Sequence, residues 1–385
     1  MSIKWILRIT CMMQIACAGI LWSFEAVRMK DMGVGETAIG IILGVSSGVF
    51  ILSSLVFGRL ADKHHCHRNV AIWGSGLMAI TALYFSICSE VWEFFIFGVI
   101  KSISASMIFG MMPALAVDSF GRERQGRDFG VYRAFGSLGF ILGAMALPLL
   151  FNDIAVVARV GALLIFCSLF LLIQMPEPDT KSSSIEPLGF RALHPGIKLF
   201  LLSFFFIALS EPATAGFYSA YARELGASTR LLGLLFGLMG LIALIFLPFM
   251  GRWLDRVAPF FILTLAFFAQ PLRVMLTSLI GQPEMLWIPL LLHGVCWGGM
   301  EVAAVVYLSR LAGEGRKATV LSYYIAMRMF GNFVGAALAG YLAENHSYVF
   351  MFRVLSAIAL VGAITYLIGS YRLKLKEADP TPATT

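Results

Sequence analysis

The chain has 385 residues, of which 59% are hydrophobic and only 13% charged, with a mean hydropathy of +0.84. A water-soluble domain needs about a quarter of its residues charged, so this chain is solvated mainly by lipid. Its net charge of +7 is spread over short loops between apolar segments rather than gathered in a basic groove, which excludes a nucleic-acid-binding protein.

A spanning helix needs about 20 mostly apolar residues. The first segment that qualifies is 5–27. It follows Lys4 and Arg8 as a signal peptide would, but it is long enough to span and no small-residue cleavage site follows, so it reads as a retained helix. The next five are 37–57, 70–89, 94–117, 128–149 and 153–174. Residues 175–197 are polar and rich in Pro and Ser, and read as a flexible linker. Six more segments follow at 198–220, 230–250, 258–280, 285–308, 318–342 and 347–370, and the tail beyond Arg372 turns charged and then Pro- and Thr-rich. The expected organisation is a six-helix bundle at 1–174, a cytoplasmic linker at 175–197, a second six-helix bundle at 198–371 and a disordered cytoplasmic tail at 372–385.

The loops set an orientation. With the N-terminus inside, the inner segments carry nineteen Lys and Arg, and the outer loops carry four: Arg28, Lys30, Arg223 and Arg230. Basic loops stay in the cytoplasm, so both termini are expected there, in a multi-pass protein of the cell's inner membrane. The halves also repeat, about 193 residues apart. Gly33, Gly40, Gly44, Gly58 and Asp62 are matched by Gly226, Gly233, Gly237, Gly251 and Asp255. Gly58-Arg59-Leu60-Ala61-Asp62-Lys63 recurs as Gly251-Arg252-Trp253-Leu254-Asp255-Arg256, and Arg133-Ala134-Phe135-Gly136 as Arg328-Met329-Phe330-Gly331. Duplicated halves in so apolar a chain point to a transporter, with substrate held between the repeats.

Twelve helices in two sixes, a long central loop and Gly-x-x-x-Asp-Lys/Arg after helices 2 and 8 resemble the major facilitator superfamily. The resemblance covers essentially the whole chain. It implies an all-α membrane protein, two pseudo-symmetric bundles and transport by alternating access. It also gives Gly58, Asp62, Arg68, Gly251 and Asp255 a gating role. The glycines would allow close helix approach, and the aspartates would tie the inner helix ends together. Phe129-Gly130-Val131-Tyr132-Arg133-Ala134-Phe135-Gly136-Ser137-Leu138-Gly139-Phe140 is similar to helix 5 of the lactose permease, nucleoside symporter and phenylpropionate permease group. That likeness implies substrate contact for Arg133. Leu292-His293-Gly294-Val295-Cys296 with Arg273 and Glu301 also resembles this group, and implies proton coupling for Glu301, Arg273 and His293. Drug antiporters of the superfamily carry Gly-Pro in helix 5, whereas this chain has Gly136, Gly139 and Gly143 and no proline before Pro148.

Charges inside spans each need a reason, because one at the bilayer centre costs roughly 2.5–3.5 kcal/mol even on the lenient insertion scale. In the first half, Glu25 and Lys101 lie at similar depth and are candidates to pair across a cavity or, singly, to snorkel outward. In the second half, Glu211, Arg273 and Glu301 lie near mid-depth and His293 nearer the outside. On an ideal helix, eight residues turn about 80° past whole turns, which puts His293 and Glu301 on neighbouring faces. A carboxylate at that depth can hold a proton that an approaching arginine drives off, and the bland alternative is a static Glu301–Arg273 pair. Glu211 stands beside Pro212, where a broken helix would expose carbonyls. Arg328 matches Arg133, and both are candidates to latch onto Asp62 and Asp255 of the opposite halves. Arg159 and Arg353 match each other and read as snorkelling residues.

Trp22, Trp297 and Tyr307 are available to stack on a ring, so the substrate site is expected to draw on Arg133, Lys101, Glu25, Glu211 and these three. Phe204-Phe205-Phe206 is expected to face lipid. His64-His65-Cys66-His67 has metal-ligand types but no second cluster at zinc spacing, and the six cysteines are scattered singly, so neither a metal nor a disulfide framework is expected. No Gly-Lys-Ser/Thr phosphate loop is present, and no cofactor is expected. The expectation is a monomeric, proton-coupled symporter, not an enzyme, for a small sugar, nucleoside or aromatic acid. Its partners are that solute, protons and the bilayer. The alternative is a proton-coupled efflux antiporter for drugs or metabolites.

Overall fold

A computed structural model describes residues 2–120, 125–175, 193–254, 256–312 and 316–373. Its regular structure is helical, and we number the spans α1 to α12. In the first repeat they are α1 (Ile3–Asp31), α2 (Glu36–His64), α3 (His67–Phe85), α4 (Val91–Ser119), α5 (Gln125–Ile141, continued by a π-helical turn Leu142–Ala146 and by Leu147–Leu150) and α6 (Ile154–Ile173). In the second, α7 (Pro195–Leu209) is followed by the short helices Glu211–Thr214 and Gly216–Glu224. Then come α8 (Thr229–Leu254), α9 (Pro259–Ser278), α10 (Pro283–Ala312, with a π-helical turn at Gly294–Gly298), α11 (Lys317–Asn345) and α12 (Tyr348–Arg372). Ten of these helices are long and apolar enough to cross a membrane. The other two are α3, whose first turn is polar, and the broken α7. Each fills the place of an expected span, and the fold is the twelve-helix membrane architecture.

The described residues form two compact units, Met1–Ser182 with Ser219–Gly240, and Ser183–Tyr218 with Leu241–Thr385. In the first unit α1 packs on α5 and α6, α3 on α4 and α6, and α2 on α4. In the second, α7 packs on α11 and α12, and α9 on α10 and α12. All but the α2–α4 packing recur among those of the second unit, so the sequence repeat is also a packing repeat.

Small residues make the closest of these contacts. A Cβ on Gly139 would overlap the carbonyl oxygen of Met12, and one on Gly143 that of Ala16, so α5 lies directly on the backbone of α1. Gly335 of α11 makes the matching approach to the Leu209 carbonyl of α7. With no hydrophobic force between helices in lipid, such backbone approach is a main source of attraction. The core of the second unit is aromatic: Phe200, Phe204, Phe267, Tyr307, Tyr324 and Tyr366 are packed ring to ring. Phe204 is therefore buried, where a lipid-facing position was expected. The run falls on a helix face that turns inward at its first residue.

The turns after α1 and before α8 are copies of one another. Gly33 (φ +79°) and Gly226 (φ +93°) both take the left-handed conformation that closes a helix end. Val34 N–H donates to Met29 C=O at 3.0 Å and Ala227 N–H to Ala222 C=O at 2.9 Å, the same bond 193 residues on. The charges just before each glycine are also copies. Lys30 pairs with Glu224 at 2.9 Å and Arg223 with Asp31 at 3.0 Å. Lys30 further meets Glu36 at 2.7 Å, and Arg223 donates to Thr229, the residue matching Glu36, at 3.1 Å. Each repeat thus offers a cation and an anion, and each cation takes the other repeat's anion within the first unit.

Both kinds of contact can be weighed by substitution. Gly139→Ala and Gly143→Ala force α5 off α1 and lower stability by about 1–3 kcal/mol each, the usual cost of overpacking, whereas Gly76→Ala, with open space around it, does not. Thermal unfolding of the detergent-purified protein measures the difference. Asp31→Arg and Arg223→Asp each weaken the crossed clamp, and the double swap restores part of the loss. The expected coupling in a double-mutant cycle is about 0.5–1 kcal/mol, because the groups are partly exposed.

Candidate functional site

The second unit builds its site where α7 breaks. Leu209 ends the helix, Pro212 lacks an N–H to continue it, and Ala215 (φ −113°, ψ −97°) separates the two short helices beyond. Ser210, in the break, accepts from Gln270 Nε2 of α9 at 3.1 Å. The break sets the Glu211 carboxylate against α11. There Arg328 Nε donates to Glu211 Oε2 at 3.0 Å, while Arg328 Nη1 donates to Glu301 Oε1 of α10. One guanidinium thus bridges two carboxylates from two other helices, using the fork geometry that lysine lacks. The three side chains are 16% (Glu211), 23% (Arg328) and 30% (Glu301) exposed, so the cluster is half-buried rather than sealed in the core. With both carboxylates ionised it carries one surplus negative charge.

Arg273 of α9 lies elsewhere. Its Nη1 is 3.1 Å from His293 Nδ1, and Trp297 stacks on the imidazole with ring centres 5.9 Å apart and planes 13° apart. The structure therefore corrects the expected pairing. Glu301 meets Arg328, not Arg273, and Arg273 meets His293. The reason is the π-helical turn Gly294–Gly298 between His293 and Glu301. An extra residue in a helix rotates the residues beyond it by about 100°, so the angle taken from an ideal helix does not hold across the turn.

In the first unit Glu25 and Lys101 form a buried ion pair, and Lys101 also lies 5.5 Å from the Phe97 ring centre. Trp22 is exposed beside Phe109. Arg133 is exposed, with no ion pair among the described residues. Tyr307 is 3% exposed inside the aromatic core, which removes it from the stacking candidates.

The gating expectations fare differently. In this structure the carboxylates of Glu211 and Glu301 occupy the Arg328 guanidinium. Asp62 instead meets His67 Nε2 at 3.0 Å across the α2–α3 turn. Arg68 donates to the Met175 carbonyl at the end of α6. No atom lies within 4 Å of a Cβ built on Gly58, so that glycine makes no close helix approach in this structure. Gly251 lies in α8; Asp255 falls outside the described residues. The sequence reading missed the crossed pairs at Lys30, Asp31, Arg223 and Glu224, although the 193-residue offset contains them. It also missed Asp128 at the start of α5, which holds Lys4 and Arg8 of α1.

A twelve-helix bundle of repeated halves, carrying paired ions inside its spans, is the architecture of a solute transporter. The MFS_1 like family model matches residues 4–354. The chain belongs to this family of the major facilitator superfamily and is a multi-pass membrane transporter, not an enzyme. It is 24% identical, over 92% of its own length and 91% of the relative's, to the multidrug resistance protein MdtG of Escherichia coli strain K12. Its fold is similar to a crystal structure of the nucleoside transporter NupG (TM-score 0.80, 16% identity, 96% of this chain and 99% of that one). It is also similar to a POT family transporter in complex with 5-aminolevulinic acid (TM-score 0.79, 14% identity, 96% of each chain).

The bridging role of Arg328 has a measurable consequence. Arg328→Met leaves two carboxylates facing each other without a cation. The expected loss is about 2–3 kcal/mol, below the full cost of orphaning a buried ion because all three groups keep some exposure. Adding Glu211→Gln and Glu301→Gln to Arg328→Met recovers most of that loss in thermal unfolding.

Proposed function

We propose that this transporter is a proton-coupled symporter. It imports a small polar or anionic solute across the bacterial inner membrane by alternating access, with both termini cytoplasmic. The observation that carries the reading is the Glu211–Arg328–Glu301 cluster, with two acids and one base on three helices. Its surplus negative charge is removed by one proton, and a low-dielectric surrounding favours the neutral form. Glu301 is the proposed proton carrier, with Arg328 as the partner that holds or releases it in place of Arg273. In the first unit, Arg133, exposed on α5, Trp22 and the Glu25–Lys101 pair are proposed substrate contacts, and in the second unit Trp297 is another. The proposed bundles are 1–174 and 198–371, acting as a monomer.

The solute classes consistent with these side chains are sugars, nucleosides and aromatic acids. The two solved neighbours, a nucleoside transporter and a transporter holding 5-aminolevulinic acid, support small polar solutes of this kind. A second reading, proton-coupled export, is favoured by the sequence relative named as a multidrug resistance protein. The two share the proton cluster and differ in the direction in which the gradient drives solute.

A ligand-stabilisation screen over those classes finds a solute, and proteoliposomes with an imposed pH gradient then test the coupling. Glu301→Gln is expected to lose uphill accumulation while retaining binding and equilibrium exchange, because an amide never ionises. Full gradient-driven uptake by Glu301→Gln would reject the assignment. Outward movement of solute against an inward proton gradient by the unaltered protein would select export.

A further inference from the structure

Arg273 is 4% exposed, and its Nη2 is buried without a hydrogen-bond partner. Among the described residues no carboxylate lies at ion-pair distance from it. Its one side-chain hydrogen-bond partner is His293, while the Glu211 carboxylate acts on it from further off; a guanidinium only donates, so Nδ1 accepts. The imidazole is then neutral, with its proton on Nε2. His293 therefore does not balance the charge, but supplies a second N–H. A guanidinium cannot shed its own proton, so inside a membrane it needs a counter-charge. Half-buried Trp297, stacked on His293, adds an aromatic surface. The adjoining π-helical turn is irregular backbone of the kind found in spans that line a cavity.

Charge arithmetic links this position to the proton cluster. Glu211, Glu301 and Arg328 sum to −1 with both acids ionised, and Arg273 brings the total to zero. A proton on the cluster leaves Arg273 as an uncompensated +1. The other ionisable groups around these residues are His293, Tyr218 of the Gly216–Glu224 helix, Cys296 of α10 and Tyr324 of α11. Tyrosine and cysteine side chains are ordinarily uncharged near neutral pH. α12 meets α9 here through Ser356, which does not titrate.

We infer that Arg273, with His293 and Trp297, binds a small organic carboxylate, and that this anion and the proton on the Glu211–Arg328–Glu301 cluster load together. This rests on the proton-coupled reading above and narrows its substrate to an anion. The empty and doubly loaded sites are neutral. The two half-loaded sites each carry one charge, which the membrane interior disfavours.

The test is binding to the purified, full-length protein of benzoate and phenylacetate against their uncharged amides, at one acidic and one alkaline pH. The carboxylates are expected to raise the unfolding temperature and the amides not. Carboxylate affinity is expected to rise by up to about tenfold per pH unit lowered. Arg273→Gln weakens the carboxylates roughly 10- to 100-fold, the worth of a charged hydrogen bond. Arg273→Lys keeps the charge and the pH dependence with weaker binding, and covers the case in which Arg273→Gln does not fold. In Glu301→Gln carboxylates bind with no pH dependence. The inference is overturned if no carboxylate stabilises the protein, if amides bind as well, if Arg273→Gln binds undiminished or if wild-type affinity ignores pH. Arg273-dependent anion binding together with full uphill uptake by Glu301→Gln would instead sink the coupling reading and leave the anion site standing. Uphill, proton-driven uptake of a neutral solute with no anion binding would do the reverse.

Discussion

A charge buried in lipid must find its opposite, and five of this protein's intramembrane charges do so within the chain while Arg273 does not. Glu25 meets Lys101 in the first unit, and Glu211 and Glu301 share Arg328 in the second. Each pair draws its members from different helices, so each also fixes how those helices turn about their axes. The desolvation cost of such ions is large and their net gain in stability small. Their retention is better explained by a task than by strength. A site that must gain and lose a proton needs a group whose two charge states are close in energy. Two acids around one base meet that need, since either charge state has a partial partner.

Close helix approach sets the framework in which those ions meet. Gly139 and Gly143 bring α5 onto the α1 carbonyls, and Gly335 does the same for α11 on α7. Arg133 and Arg328 sit on these same two helices at matching places in the repeat. The shared scaffold has been put to unequal use. Arg328 is held by two acids that arrive from a broken α7 and an irregular α10, while Arg133 has no such acids among the described residues and is exposed. Symmetry in the glycines builds the frame, and asymmetry in the acids gives Arg328, and not Arg133, its pair of carboxylates among the described residues.

Much of this was legible in the residues themselves. Hydropathy marks twelve spans because lipid demands apolar surface, and the glycines and Gly-x-x-x-Asp motifs give the repeat. Intramembrane Glu25, Lys101, Glu211, Arg273 and Glu301 stand out because so few charges lie in such segments. The partners were not legible where the backbone departs from an ideal helix. The π-helical turn at Gly294–Gly298 and the break from Ser210 to Ala215 rotate Glu301 and Glu211 toward Arg328. Neither irregularity has a one-residue signature, although Pro212 marks the second. Tyr307 and Phe204 were misplaced for a related reason. Aromatic residues serve lipid, core and ligand equally, and only the packing of α7, α9 and α12 assigns these two to the core.

The crossed clamp at Lys30, Asp31, Arg223 and Glu224 obeys the same charge logic at a different cost. Its groups lie at helix ends where water reaches them, so each pair is worth little and is easily parted. The intramembrane clusters cannot be parted without replacing the lost partner. On the proposed alternating-access reading, the protein opens and closes once per cycle. Weak pairs suit a contact that must open each time. Strong demands suit the site whose occupancy decides whether opening is allowed. On the proposed joint loading, the second unit's charges are neutral when empty and when filled and would resist any passage made half-loaded, whichever way the solute is driven.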